Sequence, residues 1–159
     1  MAQVKFCEEL LYAVLENGIN TCIETCGIGE TGAIEKLMPY VDLWLYDIKG
    51  TPEVYKKQIG ADMERVLAGL RLLLTNKKSV VLRCPVVTGT TDNTEYAVYL
   101  KRLVEKLNMI YPVRGIELLP FHRNGLDKYQ ALGLNTKMQC VQPPDKEIIE
   151  KMREIIYKQ

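Results

Sequence analysis

Apolar positions along this chain recur with two alternating periods. From Ala2 to Glu16 the residues Phe6, Cys7, Leu10, Leu11, Val14 and Leu15 share one helical face, and Asn17-Gly18 supplies the stop. Ile19 to Thr25 then reads as a short strand closed by Gly27. Thr31 to Met38 reads as a short helix closed by Pro39, and Val41 to Lys49 as a second strand. Met63, Val66, Leu67, Leu70, Leu73 and Leu74 fall at helical spacing over Asp62 to Leu74, and Ser79 to Arg83 returns to a β-branched run. Asp92 or Asn93 can cap a helix from Thr94 to Asn108 with the stripe Ala97, Leu100, Leu103, Val104 and Leu107, followed by a strand from Gly115 to Leu119. Pro143-Pro144-Asp145 opens a last helix that turns Ile148, Ile149, Met152, Ile155 and Ile156 inward.

This order, αβαβαβαβ plus a final helix, predicts an α/β fold in one domain over residues 1–159: four parallel strands joined by right-handed crossovers, with helices outside. Each strand-like run ends at polar residues: Glu24-Thr25, Asp47-Ile48-Lys49, Arg83, and Pro120-Phe121-His122. Parallel sheets place ligands at the carboxyl ends of their strands, so the four endings point to one shared site. The stretch from Phe121 to Gln142, about 20 residues without a clear pattern, is expected to be a binding loop or lid.

Charge and composition narrow the function. A net charge of +1 with no basic stripe argues against nucleic acid. No apolar run approaches the roughly 18 residues of a membrane span. The first residues lack a secretory pattern, so a cytoplasmic location is expected. Five cysteines scattered through apolar segments do not form a disulfide framework and are read as reduced thiols.

Alternation puts Asp47 and Lys49 on one face of their strand, where they could hold the two ends of a zwitterion or form a structural ion pair. Glu24, Thr25 and Arg83 add acceptors and a second cation, a mixture suited to an amino-acid-like ligand. Taken singly, Thr25 would close a turn and Arg83 would pair on the surface. His122, the one histidine, follows a strand at a place suited to ligand hydrogen bonding; it has no partners at zinc-ligand spacing. Cys22 and Cys26 are expected to be buried small hydrophobes rather than cluster ligands.

Several segments together resemble the glycyl-radical-enzyme activating enzymes of the pyruvate formate-lyase activase type, in the radical S-adenosylmethionine superfamily. They are Gly18 to Gly27, Leu45-Tyr46-Asp47-Ile48-Lys49, Leu82-Arg83 with Gly89 and Asp92, Ile116 to His122, Lys128-Tyr129 with Leu132-Gly133, and Pro143-Pro144. The resemblance implies a partial TIM-like half-barrel with S-adenosylmethionine across the strand ends beside a [4Fe-4S] cluster. It places Glu24 and Thr25 near the methionine moiety, where with Asp47 and the Leu45 carbonyl they would form a monovalent-cation site. Lys49 would meet the cofactor carboxylate, Leu119 and His122 would flank the adenosine, and Arg83 would lie between cofactor and target peptide.

The resemblance further implies a 5'-deoxyadenosyl radical that abstracts hydrogen from a glycine of a partner glycyl radical enzyme, with electrons from a flavodoxin or ferredoxin. The family's cluster-binding C-x3-C-x2-C loop and its Gly-Gly-Glu segment do not occur in this sequence. The expectation is therefore a truncated activase that starts just after those motifs and is inactive alone, supplying positioning residues but no catalytic ones. A non-catalytic module that docks on a glycyl radical enzyme or on a missing N-terminal half is the alternative; an unrelated enzyme using Asp47, Lys49 and His122 for acid-base work is a third. The strand Ile19 to Thr25, without a neighbour on one side, is expected to self-associate.

Overall fold

The computed structural model describes residues 3–29 and 31–158. The predicted α/β order holds, with four parallel strands in sequential spatial order: β1 (Cys22–Thr25), β2 (Leu43–Asp47), β3 (Val80–Val86) and β4 (Gly115–Pro120). Before, between and after them run α1 (Val4–Glu16), α2 (Thr31–Leu37), α3 (Pro52–Val54), α4 (Met63–Thr75), α5 (Thr94–Asn108), α6 (Leu126–Ala131) and α7 (Lys146–Tyr157). The expected helix start at Ala2 lies outside the described residues.

Capping sets several boundaries. Asn93, not Asp92, caps α5 by accepting from the Tyr96 N–H at 2.9 Å, while Asp92 accepts from the Gly89 N–H in the preceding turn. Asp62 and Asp145 cap α4 and α7 in the same way through the N–H groups of Glu64 and Glu147. Pro39 ends the α2 hydrogen-bond ladder but is accommodated in a 3-10 turn, Met38–Tyr40. Both early strands start later than predicted. Thr21 and Asp42 are tied together before them: the Thr21 N–H donates to Asp42 Oδ2 at 2.7 Å, and the Thr21 hydroxyl donates to the Tyr40 carbonyl at 2.6 Å.

β3 runs three residues beyond the predicted end at Arg83. Proline in an inner strand normally costs a ladder bond, yet Pro85 is tolerated. The Ile48 N–H donates to the Arg83 carbonyl, so odd-numbered residues of β3 face β2, and pairing with β2 has ended before Pro85. The helical turn Pro52–Val54 with the π-turn Tyr55–Ile59 had no expectation attached to it. The expected structureless loop contains α6 and a 3-10 turn, Lys137–Cys140. α6 ends on Gly133 at φ 65°, with the Leu134 N–H donating to the Tyr129 carbonyl. Six residues are too few for a helical period to show in sequence.

The core lies on one side of the sheet. Trp44, Tyr46, Ile48, Leu82, Cys84, Ile116 and Leu118 pack there under α2, α4, α5 and α7, whose predicted apolar stripes supply Leu70, Leu73, Leu100 and Met152. The stripe of α1 is divided: Cys7 and Leu11 pack against the core, joined by Val4 from outside the stripe, whereas Phe6, Leu10 and Leu15 are 59%, 51% and 46% exposed.

Candidate site on the open sheet face

Alternation sends the remaining strand side chains to the opposite sheet face, which no helix among the described residues covers. β3 shows it most clearly: Val80, Leu82, Cys84 and Val86 are buried, while Val81, Arg83 and Pro85 are half-exposed. Along this face the register aligns Glu24 with Leu45 and Val81, and Asp47 with Arg83 and Glu117. Asp47, Arg83 and Glu117 therefore form a polar row across three strands, and Glu24 on the fourth stands two positions short of it on the same face.

Its members are ion-paired. Lys49 Nζ donates to Asp47 Oδ2 at 2.8 Å, the contact expected of a structural pair, but Asp47 Oδ1 stays buried without a hydrogen-bond partner. Arg83 Nη1 meets Glu24 Oε1 at 2.6 Å across β2, and Arg83 Nε lies 3.8 Å from Glu117 Oε2, also buried and without a hydrogen bond. Two cations stand against three carboxylates, so the row carries one surplus negative charge. An unsatisfied carboxylate oxygen and an unsatisfied guanidinium N–H are costly when buried, and each can accept a ligand group of opposite character.

The remaining predicted residues are placed less uniformly. Arg83 stands inside the sheet, not at a strand end. Thr25 falls at the Tyr46 register, on the opposite face from Glu24, and its hydroxyl accepts from the Gly27 N–H at 3.2 Å, the turn-closing role. Leu45 is within the ladder; the Leu43 N–H donates to the Thr21 carbonyl, and alternation then aims the Leu45 carbonyl at β1. Leu119 is half-exposed at the Pro85 register, and His122 is exposed beyond β4. Cys22 is exposed on the open face and Cys26 half-buried, so neither is the core hydrophobe expected. Burial first, then the Glu24 carboxylate, pushes the Cys22 thiol up in pKa, with Arg83 opposing. Its exposure follows from its register, two residues before Glu24 on an edge strand.

Two tyrosines that sequence reasoning left out hold the Asp47-Ile48-Lys49 segment. Tyr55, fully buried, accepts from the Lys49 N–H at 3.1 Å, and Tyr96, 1% exposed, donates to the Ile48 carbonyl. Tyr96 lies on the α5 face beside Ala97 and Leu100, so its burial was readable from the helical period. A groove of about 960 Å³ between α4 and α5, lined by Met63, Leu67, Leu103 and Leu107, lies in the helical layer and contains no member of the polar row. The row, unlike the groove, holds two buried polar atoms without a hydrogen bond, Asp47 Oδ1 and Arg83 Nε.

No protein-family model matches the chain. It is 39% identical over 128 residues to the choline trimethylamine-lyase activating enzyme of Oleidesulfovibrio alaskensis, an alignment covering 78% of this chain and 40% of that protein. It is 31% identical over 157 residues to the pyruvate formate-lyase 1-activating enzyme of Escherichia coli K12, covering 97% of this chain and 63% of that protein. The homologues of this chain are glycyl-radical-enzyme activating enzymes. The chain spans less than two thirds of the length of both relatives. In fold, it matches a domain of a pyruvate-formate lyase-activating enzyme from Bacteroides vulgatus, with a TM-score of 0.78 and 17% identity over 98% of this chain and 86% of that one.

Among the described residues no group of three or more His, Cys, Asp or Glu comes together that could hold a metal ion. The polar row does fit S-adenosylmethionine. That cofactor carries a carboxylate, an ammonium and a sulfonium, one net positive charge against the one surplus negative charge of the row.

Proposed function

We propose that this chain supplies the cofactor- and peptide-positioning face of a radical S-adenosylmethionine activating enzyme, which places a glycyl radical on a partner enzyme such as pyruvate formate-lyase. The observation that carries the reading is the polar row on the helix-free sheet face, with Asp47 Oδ1 and Arg83 Nε left open. Lys49 takes the carboxylate of S-adenosylmethionine. Glu24 and Asp47 take its cationic groups. Leu119 and His122 flank the adenosine, and Arg83 faces the target peptide. Bound S-adenosylmethionine supplies the hydrogen-abstracting chemistry when a [4Fe-4S] cluster and a flavodoxin- or ferredoxin-type donor serve it. The chain's own residues bind and orient. Cluster ligands come from outside the described residues, in the cytoplasm, where the five free thiols stay reduced.

Calorimetric titration of the chain with S-adenosylmethionine tests this. Saturable binding is expected, lost in Lys49→Gln and kept in the surface variant Lys151→Gln. No binding, or binding indifferent to Lys49, refutes it. Reconstitution with iron, sulfide and reductant is expected to give no cofactor cleavage by the chain alone.

A second reading, a non-catalytic module that docks on a glycyl radical enzyme or on another part of an activase, is favoured by the exposed Phe6, Leu10 and Leu15 of α1 and the free edge of β1. Among the described residues no helix is long and apolar enough to cross a membrane, so that apolar surface is not a span. Self-association through the Ile19 to Thr25 edge follows from the same features. A clean monomer at high concentration in light scattering would count against it.

A further inference from the structure

Arg83 stands between two carboxylates on opposite sides, and only one of them, Glu24, has a part in the function proposed above. Glu117 occupies the adjoining position on the neighbouring strand, in register with Arg83, whereas Glu24 reaches Arg83 from a strand once removed. The two acids address different nitrogens: Glu24 meets Nη1 at 2.6 Å and Glu117 approaches Nε at 3.8 Å. A guanidinium has five N–H groups in a fixed fork and can keep one partner while losing the other. Nε is buried and without a hydrogen bond, and a movement of about 1 Å brings Glu117 to hydrogen-bond distance. The Glu24 side chain is 58% exposed and open to an arriving cationic group.

We propose that Glu117 is a positioning residue that retains Arg83 on the sheet face when a cationic ligand draws Glu24 away. Identifying that ligand as S-adenosylmethionine rests on the function proposed above; the two-carboxylate arrangement does not. Loss of Glu24 from Nη1 would otherwise leave a half-buried cation with no partner, free to swing out of the row. With Glu117 engaged at Nε, the guanidinium stays beside Asp47 and keeps its Nη edge for an incoming acceptor. A bland surface ion pair would contribute little and would change nothing on ligand binding.

Nitrogen-15 NMR of the full chain separates these accounts. The Arg83 Nε–Hε signal is assigned with Arg83→Lys, and its hydrogen exchange is measured in Glu24→Gln, Glu117→Gln and the double variant. Glu24→Gln reproduces a carboxylate that has been drawn away. Slow exchange is expected in the wild type and in both single variants, with an acceleration of about tenfold in the double variant alone. Adding S-adenosylmethionine is expected to leave the wild-type signal slow and to accelerate it in Glu117→Gln. The proposal is overturned if Glu24→Gln alone exchanges as fast as the double variant, or if Glu117→Gln saturated with S-adenosylmethionine exchanges as slowly as the wild type. If S-adenosylmethionine binds no variant, the cofactor reading falls while the ligand-free comparison still decides the role of Glu117. Glu117→Ala, checked by urea unfolding, serves where the glutamine variant folds poorly.

Discussion

Tyr96→Phe tests how the site segment is held. The Tyr96 hydroxyl donates to the Ile48 carbonyl at 2.5 Å, and Ile48 is fully buried. Phenylalanine keeps the ring in place and opens almost no cavity, so the loss is the hydrogen bond and the burial of an acceptor without that donor. Such a deletion costs about 1–3 kcal/mol. With a urea m value of about 1–3 kcal/mol/M, the midpoint of unfolding should fall by about 1 M at unchanged m, and Tm by about 4–8 °C. Burial, first among the causes, raises the Tyr96 pKa well above the usual tyrosine value. The wild type therefore loses the Tyr96 contribution as pH rises past the unfolded value near 10, and the deficit of the variant should shrink there. Urea unfolding followed by circular dichroism at pH 7 and above pH 10 measures both effects. A deficit below about 0.5 kcal/mol at pH 7, or one that grows at high pH, would falsify the assignment of Tyr96 as the anchor of Ile48.

Gly27→Ala should lower Tm sharply, because a Cβ there falls 2.0 Å from Tyr46 Oη at a φ of 65°; strain and overpacking together cost about 2–4 kcal/mol in thermal unfolding. Lys77 ends α4 at φ 55°, with the Lys78 N–H donating to the Leu73 carbonyl as glycine caps do; Lys77→Gly should raise stability by about 0.5–1 kcal/mol, and a lower denaturation midpoint would contradict this. Burial pushes Cys84 up to about 12 and Tyr99 up to about 12, and also raises Tyr46 and Tyr55. Folded values above unfolded ones mean stability fully present below about pH 9 and lost as pH climbs toward 12; a denaturation midpoint flat across that window would refute the burial argument.

Long periodic elements were legible in the sequence, because stripes such as Met63, Val66, Leu67, Leu70, Leu73 and Leu74 repeat over several turns, and all of them are buried. Short or interrupted elements were not: α6 has six residues, and Pro85 masks the far end of a strand that had already outrun its neighbour. Most of the polar row could be found because each member closes or interrupts an apolar run. Sequence patterns do not report pairing across strands, so the Arg83 contacts with Glu24 and Glu117 were invisible, and the exposure of Cys22 depended on which face of an edge strand it occupies.

The site and the core are set by the same register. In β2 the residues Trp44 and Tyr46 go under the helices because Leu45 and Asp47 do not, and β3 repeats this with Leu82 and Cys84 against Arg83. A slip of one residue in either strand would bury the charges beneath α4 and α5 and expose the aromatic core, so hydrophobic burial itself enforces the alignment of Asp47, Arg83 and Glu117. No special interaction is needed to assemble the row. The ion pairs adjust its side chains after packing has fixed its backbone, and this leaves Asp47 Oδ1 and Arg83 Nε open without loss of the fold.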